Sequence, residues 1–264
     1  MKKLLIKGKK ELSGLIKISG SKNATLPILA ASILAKNITL NNVPFVKDIF
    51  TMIELLKFIG IDIKIENKKK NIRLIYASSA ATYGNGHTGF DDYEDVGYLK
   101  NLAALNVYGW TKNQVDVRNV FAKENFNIKP PQWVGLKFFN VYGNNEYHKD
   151  NMISIVLKTY FQIKKGYQTN LFKSYKESCK DGEQKRDFIY VKDVINVINW
   201  FLNKPKINGL FNVGSSIPQS FNYLAKCVYR NCNMSENIEY IDTPKKIRKQ
   251  YQYFTKASLD KLRK

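Results

Sequence analysis

The sequence predicts an α/β protein, part of a doubly wound sheet preceded by a smaller, differently patterned segment. Three observations carry this. From Ile72 onward, short apolar runs alternate with helical stretches. One run, LIYASSA, is continuously apolar and ends in small residues, as expected of a strand buried on both faces of a parallel sheet. A polar, lysine-rich stretch from Asn67 to Asn71 separates this pattern from what precedes it, so residues 1–66 and 72–264 are expected to be two pieces joined at 67–71.

In the first piece, KLLIKG and LIKISG alternate between Gly8, Gly14 and Gly20 and read as strands with turns. Ser21 to Lys36 reads as a helix, with Leu26, Ile28, Leu29, Ile33 and Leu34 on one face and Ser21 or Asn23 as its cap. The strand ITLNNV follows. A helix from about Val46 to Ile59 then places Ile49, Ile53, Leu56 and Phe58 together, Gly60 stops it, and IDIKIEN reads as a further strand.

In the second piece the LIYASSA strand leads to a helix from about Trp110 to Glu124, a strand VGLKFFNV and a helix from about Met152 to Ile163. A short FIYV strand and the helix DVINVINWFL complete the alternation. Tyr167 to Lys185 is irregular and charged, more like a binding loop than core, and GNGHTG opens no helix and reads as a loop.

Composition narrows the function classes. With 44% hydrophobic and 13% aromatic residues the chain is of folded type, not disordered. The net charge of +21 would suit a polyanion. Its lysines are scattered, however, with one tight run at Lys68-Lys69-Lys70 and neither a reading helix nor an aromatic-basic platform, so no nucleic-acid partner is expected. Cys179, Cys227 and Cys232 have no metal-ligand spacing; no metal is expected, and a reducing cytoplasm suits them. MKKLLIKGKK lacks the apolar core of a signal peptide and LPILAASILA is too short to cross a bilayer, so the expectation is a soluble cytoplasmic protein without a membrane partner.

Chemistry concentrates in three motifs. YASSAATYG puts Ser78 and Ser79 at the carboxyl end of the buried strand, outside which ligands of open α/β sheets lie. In Tyr108-Gly109-Trp110-Thr111-Lys112, Tyr108 and Lys112 are four apart and share a helix face. A phenol is a poor base at neutral pH, and a neighbouring ammonium favours its ionised form. Ser79 would donate to a developing alkoxide or carbonyl oxygen, which completes a hydroxyl–carbonyl redox triad. The third motif, FFNVYGNNEYHK, closes another strand at the same sheet edge.

Together with RDFIYVKDV, these motifs resemble the extended short-chain dehydrogenase superfamily and, within it, the ADP-glycero-manno-heptose 6-epimerases, from about Ile72 to the last residue. The resemblance implies a partial Rossmann-like sheet with a sugar-nucleotide-binding lobe. It also implies epimerisation at C6 of an ADP-heptose through a transient 6-keto sugar, with NADP or NAD as cofactor, in the synthesis of lipopolysaccharide core heptose. By motif matching, Tyr108 and Lys149 are the acid/base pair, assisted by Ser79 and Lys112, and Lys112, Val141 and Lys149 meet the cofactor. Asn140, Asn151, Lys158, Phe172, Lys173, Ser174, Tyr175, Arg186 and Tyr251 match substrate-binding positions. An Arg suits a pyrophosphate because its planar fork can bond two oxygens. Asp150 stands where the family usually has Gly, Asn144 where it has Pro, and Lys158 where it has His; Asp150 is expected to stabilise the Lys149 ammonium. No GxxGxxG turn opening a helix occurs, so the isolated chain is expected to be inactive or weak. A homo-oligomer or an assembly with an intact epimerase is the protein partner implied.

Residues 1–66 resemble the beginning of UDP-N-acetylglucosamine 1-carboxyvinyltransferase, the likeness running through LLIKGKKELSGLIKISGSKNATLPILAASILA and VPFVKDIFTMIELLKFIGIDI. That resemblance implies a fragment of the enolpyruvyl transferase fold. Lys22 and Asn23 match the pair that meets phosphoenolpyruvate and the sugar nucleotide, a vestigial site in a piece without the rest of the transferase machinery.

Overall fold

Apolar side chains three and four apart build the first of two units, Met1–Lys68, around a pair of helices. The computed structural model describes residues 16–17, 22–35, 37–41, 43–44, 46–65, 72–126, 129–248 and 250–264. Strand β1 (Ile16–Lys17) pairs in parallel with β2 (Leu40–Asn41). Helix α1 (Lys22–Ala31) is followed by a 3₁₀ turn over Ser32–Leu34, and α2 (Lys47–Phe58) comes next. Ile49, Ile53 and Leu56 of α2 form a small core with Leu29 of α1, flanked by Leu26, Leu40, Val43 and Val46.

Several expectations for this unit change. The tighter 3₁₀ turn takes Ile33 and Leu34 off the α1 stripe, and both are exposed; Phe58, at the end of α2, is exposed too. Residues 61–65 of IDIKIEN form no strand, because no strand partner lies beside them among the described residues. KLLIKG and Ser21 lie outside the described residues, as do the side chains of Lys22 and Asn23.

The second unit, Lys69–Lys264, is organised around a parallel sheet. Its strands β3 (Leu74–Ser79), β4 (Trp133–Phe138) and β8 (Gly209–Val213) lie in the order β3-β4-β8. Helices α3 (Val96–Lys100) and α4 (Val107–Phe126) accompany one face, where Leu99 and Val120 pack with Trp133 and Leu210. Helix α6 (Val191–Asn203) covers the other, where Val194 and Phe201 pack with Val134, Leu136, Phe211 and Val213. Helices on both faces of a parallel sheet make this an α/β, Rossmann-like arrangement.

After Phe139 the chain leaves this sheet. Strand β5 (Asn140–Tyr142) pairs with β7 (Lys185–Tyr190), and β7 pairs antiparallel with β9 (Pro218–Ser220). A further parallel pair joins β6 (Thr169–Phe172) to β10 (Ile238–Ile241), accompanied by α5 (Ile155–Lys164) and α7 (Phe221–Asn231), and a short α8 (Lys245–Arg248) follows. The expected single strand VGLKFFNV is therefore two strands in two sheets. The expected loop from Tyr167 to Lys185 contains β6.

The LIYASSA strand is less buried than a two-faced parallel strand should be: Leu74 is 38% exposed, and Ala77 is exposed as well. The reason is topological. Among the described residues β3 pairs with β4 alone, so it is an edge where β4 is central.

Candidate active site

At the carboxyl end of β3, Ser79 enters a 3₁₀ turn over Ala80–Tyr83. Its Oγ accepts the Ala81 N–H at 3.1 Å, and the Thr82 hydroxyl donates to its carbonyl at 2.9 Å. The start of α4 is pressed against this turn. A Cβ on Gly109 would lie 2.5 Å from the Ala81 carbonyl oxygen, so a glycine is what allows the approach. Asn106 caps the helix by accepting the Gly109 N–H at 2.8 Å, and α4 begins at Val107, ahead of the expected Trp110.

This docking brings Tyr108 and Lys112 to the strand end. Lys112 Nζ donates to the Ala77 carbonyl at 2.9 Å and lies 5.7 Å from the centroid of the Tyr108 ring, which is 56% exposed. One helical turn further along the same stripe, Asp116 is fully buried beneath them. Its carboxylate accepts from Lys137 Nζ at 2.7 Å, Ser78 Oγ at 2.6 Å and Tyr76 OH at 3.0 Å. Lys137 also donates to Thr82 at 2.9 Å and faces the Tyr83 ring. Burial pushes the Lys137 pKa down, and the adjacent Asp116 opposes it. An ion pair in the core thus fixes α4 against the segment bearing Ser79.

A second cluster lies on β7. Arg186, 6% exposed, donates to the carbonyls of Lys185 and Gln252. The rings of Tyr251 and Phe221 flank its guanidinium at 5.4 and 5.6 Å. Among the described residues it forms no ion pair with a carboxylate. A cavity of about 230 Å³ opens on it, lined also by Ala81, Asn106, Gln250, Tyr251 and Gln252. An adjoining cavity of about 660 Å³ is lined by Tyr108, Val107 and Trp110. The two share Leu105, Asn106 and Gln250, so the Arg186 end and the Tyr108 end adjoin.

The expected substrate-loop residues line neither cavity, although Phe172 touches Tyr251, which lines the first. The Phe172 ring meets Tyr251 edge-on at 6.1 Å, and Lys173 pairs with Asp242 at 3.4 Å. The Ser174 N–H donates to Asp181. The Tyr175 hydroxyl donates to Asp242, its N–H donates to the Tyr253 hydroxyl, and its ring carries the Arg248 guanidinium at 3.8 Å.

Other expected residues do not join these cavities. Asn140 is exposed at the start of β5, Val141 lies opposite Ile189, and Lys158 is exposed on α5. None of these three, nor Ser79, Lys112 or Lys149, lines either cavity. The side chain of Asn151 lies outside the described residues. Lys149 is exposed, and its carboxylate partner is Glu146, at 3.6 Å, where Asp150 was expected. Burial raises the Glu146 pKa, but the N–H groups of Ser154 and Gly143 and the Lys149 ammonium outweigh it and hold the carboxyl below its usual value.

Sequence reasoning passed over Asn106, Trp110, Gln250 and Gln252, and the Asp116–Lys137 pair. Two signals were present. Asn106 immediately precedes the helix, as caps do, and Lys137 interrupts an apolar run in which a buried strand has no ordinary use for a lysine.

Residues 29–214 match the NAD dependent epimerase/dehydratase family. The chain belongs to that family. The match begins within the first unit. Among relatives in the epimerase/dehydratase family, the ADP-L-glycero-D-manno-heptose-6-epimerase of Fusobacterium nucleatum is 45% identical over 201 residues, covering 74% of this chain and 59% of its own. That of Nitratidesulfovibrio vulgaris is 45% identical over 191 residues, covering 72% and 57%. The crystal structure of the Helicobacter pylori ADP-L-glycero-D-manno-heptose-6-epimerase superposes with a TM-score of 0.56 at 28% identity, over 83% of this chain and 58% of that one. The chain thus spans a little under three-fifths of the length of these epimerases. Among the described residues, no helix is long and apolar enough to cross a membrane.

Proposed function

We propose that the second unit is the substrate-binding and reacting-end portion of an ADP-glycero-manno-heptose 6-epimerase. The observation that carries this reading is Arg186: a buried cation, without a carboxylate partner among the described residues, opens into a cavity that adjoins the one holding Tyr108. Such a guanidinium suits a diphosphate, and the adjoining wall suits a sugar with a reactive hydroxyl near the phenol.

Tyr108 would take or return the proton of the C6 hydroxyl, Ser79 would hydrogen-bond the oxygen, and Lys112 would favour the ionised phenol. Lys149 is assigned the second face on its motif position. The family's nicotinamide cofactor, when bound, accepts the C6 hydride and returns it. Lys112, whose ammonium stands beside Tyr108, fits its reacting end, with Val141 and Lys149 assigned by motif. The GxxGxxG turn that would hold the pyrophosphate is absent from the sequence, which favours a second reading: a non-catalytic nucleotide-sugar-binding module that assembles with an intact epimerase. Residues 1–66 we infer to be a carboxyvinyltransferase-like fragment without transfer activity.

Calorimetric titration with ADP-heptose tests the proposal. Saturable binding that weakens about tenfold or more in Arg186→Gln supports it, because a hydrogen bond to a charged group is lost. A chain that binds no ADP-heptose refutes it. Saturable NADP binding and epimerisation by the chain alone would exclude the module reading, whereas co-purification with a full-length epimerase would favour it.

A further inference from the structure

Arg186 and Asp187 are neighbours on β7, yet their opposite charges do not meet. Successive side chains on a strand point to opposite faces. Arg186 lies between the Tyr251 and Phe221 rings, whereas Asp187 is fully buried among backbone donors. Its Oδ1 accepts the Ser215 N–H at 2.6 Å and the Ser215 hydroxyl at 2.8 Å; its Oδ2 accepts the N–H groups of Ser216 at 2.9 Å and Ala257 at 2.8 Å. The carboxylate is satisfied by these donors without the arginine. That leaves the guanidinium available to an outside anion.

The same bonds close the site. Residues 252–257 run beside β7: Lys185 N–H donates to Tyr253, Thr255 N–H donates to Lys185, and Asp187 N–H donates to the Thr255 hydroxyl. The Arg186 guanidinium donates to the Gln252 carbonyl on this strap. On the other side, Ser216 adopts a left-handed φ of 63°, a conformation uncommon for serine, while donating to Asp187. Gly214 leaves room for the carboxylate, since a Cβ there would lie 2.9 Å from Asp187 Oδ1 and 2.7 Å from the Ala257 Cβ.

We propose that Asp187 is a positioning residue: it clamps the strap 252–257 and the loop 215–216 to β7 and so holds Arg186 and Tyr251 in the arrangement that receives a diphosphate. This rests on the reading of Arg186 as an anion-binding group. Its action is through Arg186, not on the ligand.

The test is a double-mutant cycle on the whole chain, with ADP and inorganic pyrophosphate titrated calorimetrically into wild type, Asp187→Asn, Arg186→Gln and the double variant. Asp187→Asn is expected to weaken both ligands about tenfold or more, and to add nothing once Arg186 is gone. A purely structural role would lower the melting temperature, leave affinity of the folded protein unchanged, and so overturn the proposal; additive losses would overturn it too. If Asp187→Asn does not fold, Gly214→Ala displaces the carboxylate from the other side and is expected to give the same coupled loss, with unchanged affinity counting against the idea. Wild type that binds pyrophosphate through Arg186 but not ADP-heptose would sink the nucleotide-sugar reading while the cycle still judges Asp187. Wild type that binds neither removes both.

Discussion

Lys137 and Asp116 have no exposed surface, and they pair with each other at 2.7 Å. Replacing Lys137 by Met or Asp116 by Leu alone strands a charge in the core and is expected to lower unfolding free energy by about 3–5 kcal/mol; the double replacement is expected to recover most of that loss. Urea unfolding of the four proteins decides it, and losses that simply add would contradict the pairing. Asp150 makes a different case. Its φ of 46° with ψ of −118° is unfavourable for any side chain, so Asp150→Gly is expected to stabilise the chain by about 1 kcal/mol or more, and an unchanged melting temperature would argue against strain there. At this scale the sequence was legible where chemistry follows helical period, as with Tyr108 and Lys112. It was not legible where it depends on what a strand faces. Nothing in the dipeptide Arg186-Asp187 says that the two charges are kept apart, because that needs β9, the strap and the Ser215 loop in place.

Among the elements, α4 carries Tyr108 and Lys112, and an amide caps its entry. Asn106→Ala is expected to cost about 1 kcal/mol in chemical denaturation, a cap's usual worth; no loss would mean that the Gly109 N–H finds water just as well. Glu94 joins the far end of α4 to β8 and the C-terminal turn, through Lys123 at 2.8 Å, the Leu210 N–H at 3.1 Å and Lys261. Burial raises its pKa, but the two lysines more than reverse this and hold the carboxyl below its ordinary value. The folded state therefore binds this proton less readily than the unfolded chain does. The stabilisation is complete above the unfolded carboxyl pKa and is lost as pH falls through the folded value. Glu94→Gln should accordingly destabilise at neutral pH and differ least from wild type in acid, and a constant difference across pH would contradict the assignment. The helices α2 and α6 fell close to their expected limits because apolar residues recur at helical spacing and are interrupted by clear stops. The break at Phe139 was invisible, since both halves of VGLKFFNV are good strand sequence and only the pairing of β5 with β7 separates them. Strands β8 and β9 and helix α7 lie outside the expected alternation, in stretches that carry none of the three chemical motifs.

Across the whole molecule, 43 basic against 22 acidic side chains leave a net charge of +21, so compaction works against self-repulsion. Raising salt from about 20 to about 200 mM shortens the screening length several-fold and is expected to raise the urea midpoint; a flat response would mean that the charges are already neutralised locally. The adjoining cavities add a property that belongs to no single residue. Arg186 is fixed by the strap and Tyr108 by the docking of α4, and the wall of Leu105, Asn106 and Gln250 between them is common to both. If Arg186 anchors a diphosphate as proposed, the depression would work as a gauge. A ligand held at the guanidinium would offer the phenol only that part of itself lying one wall-length away, so a molecule shortened by one phosphate would present the wrong atom.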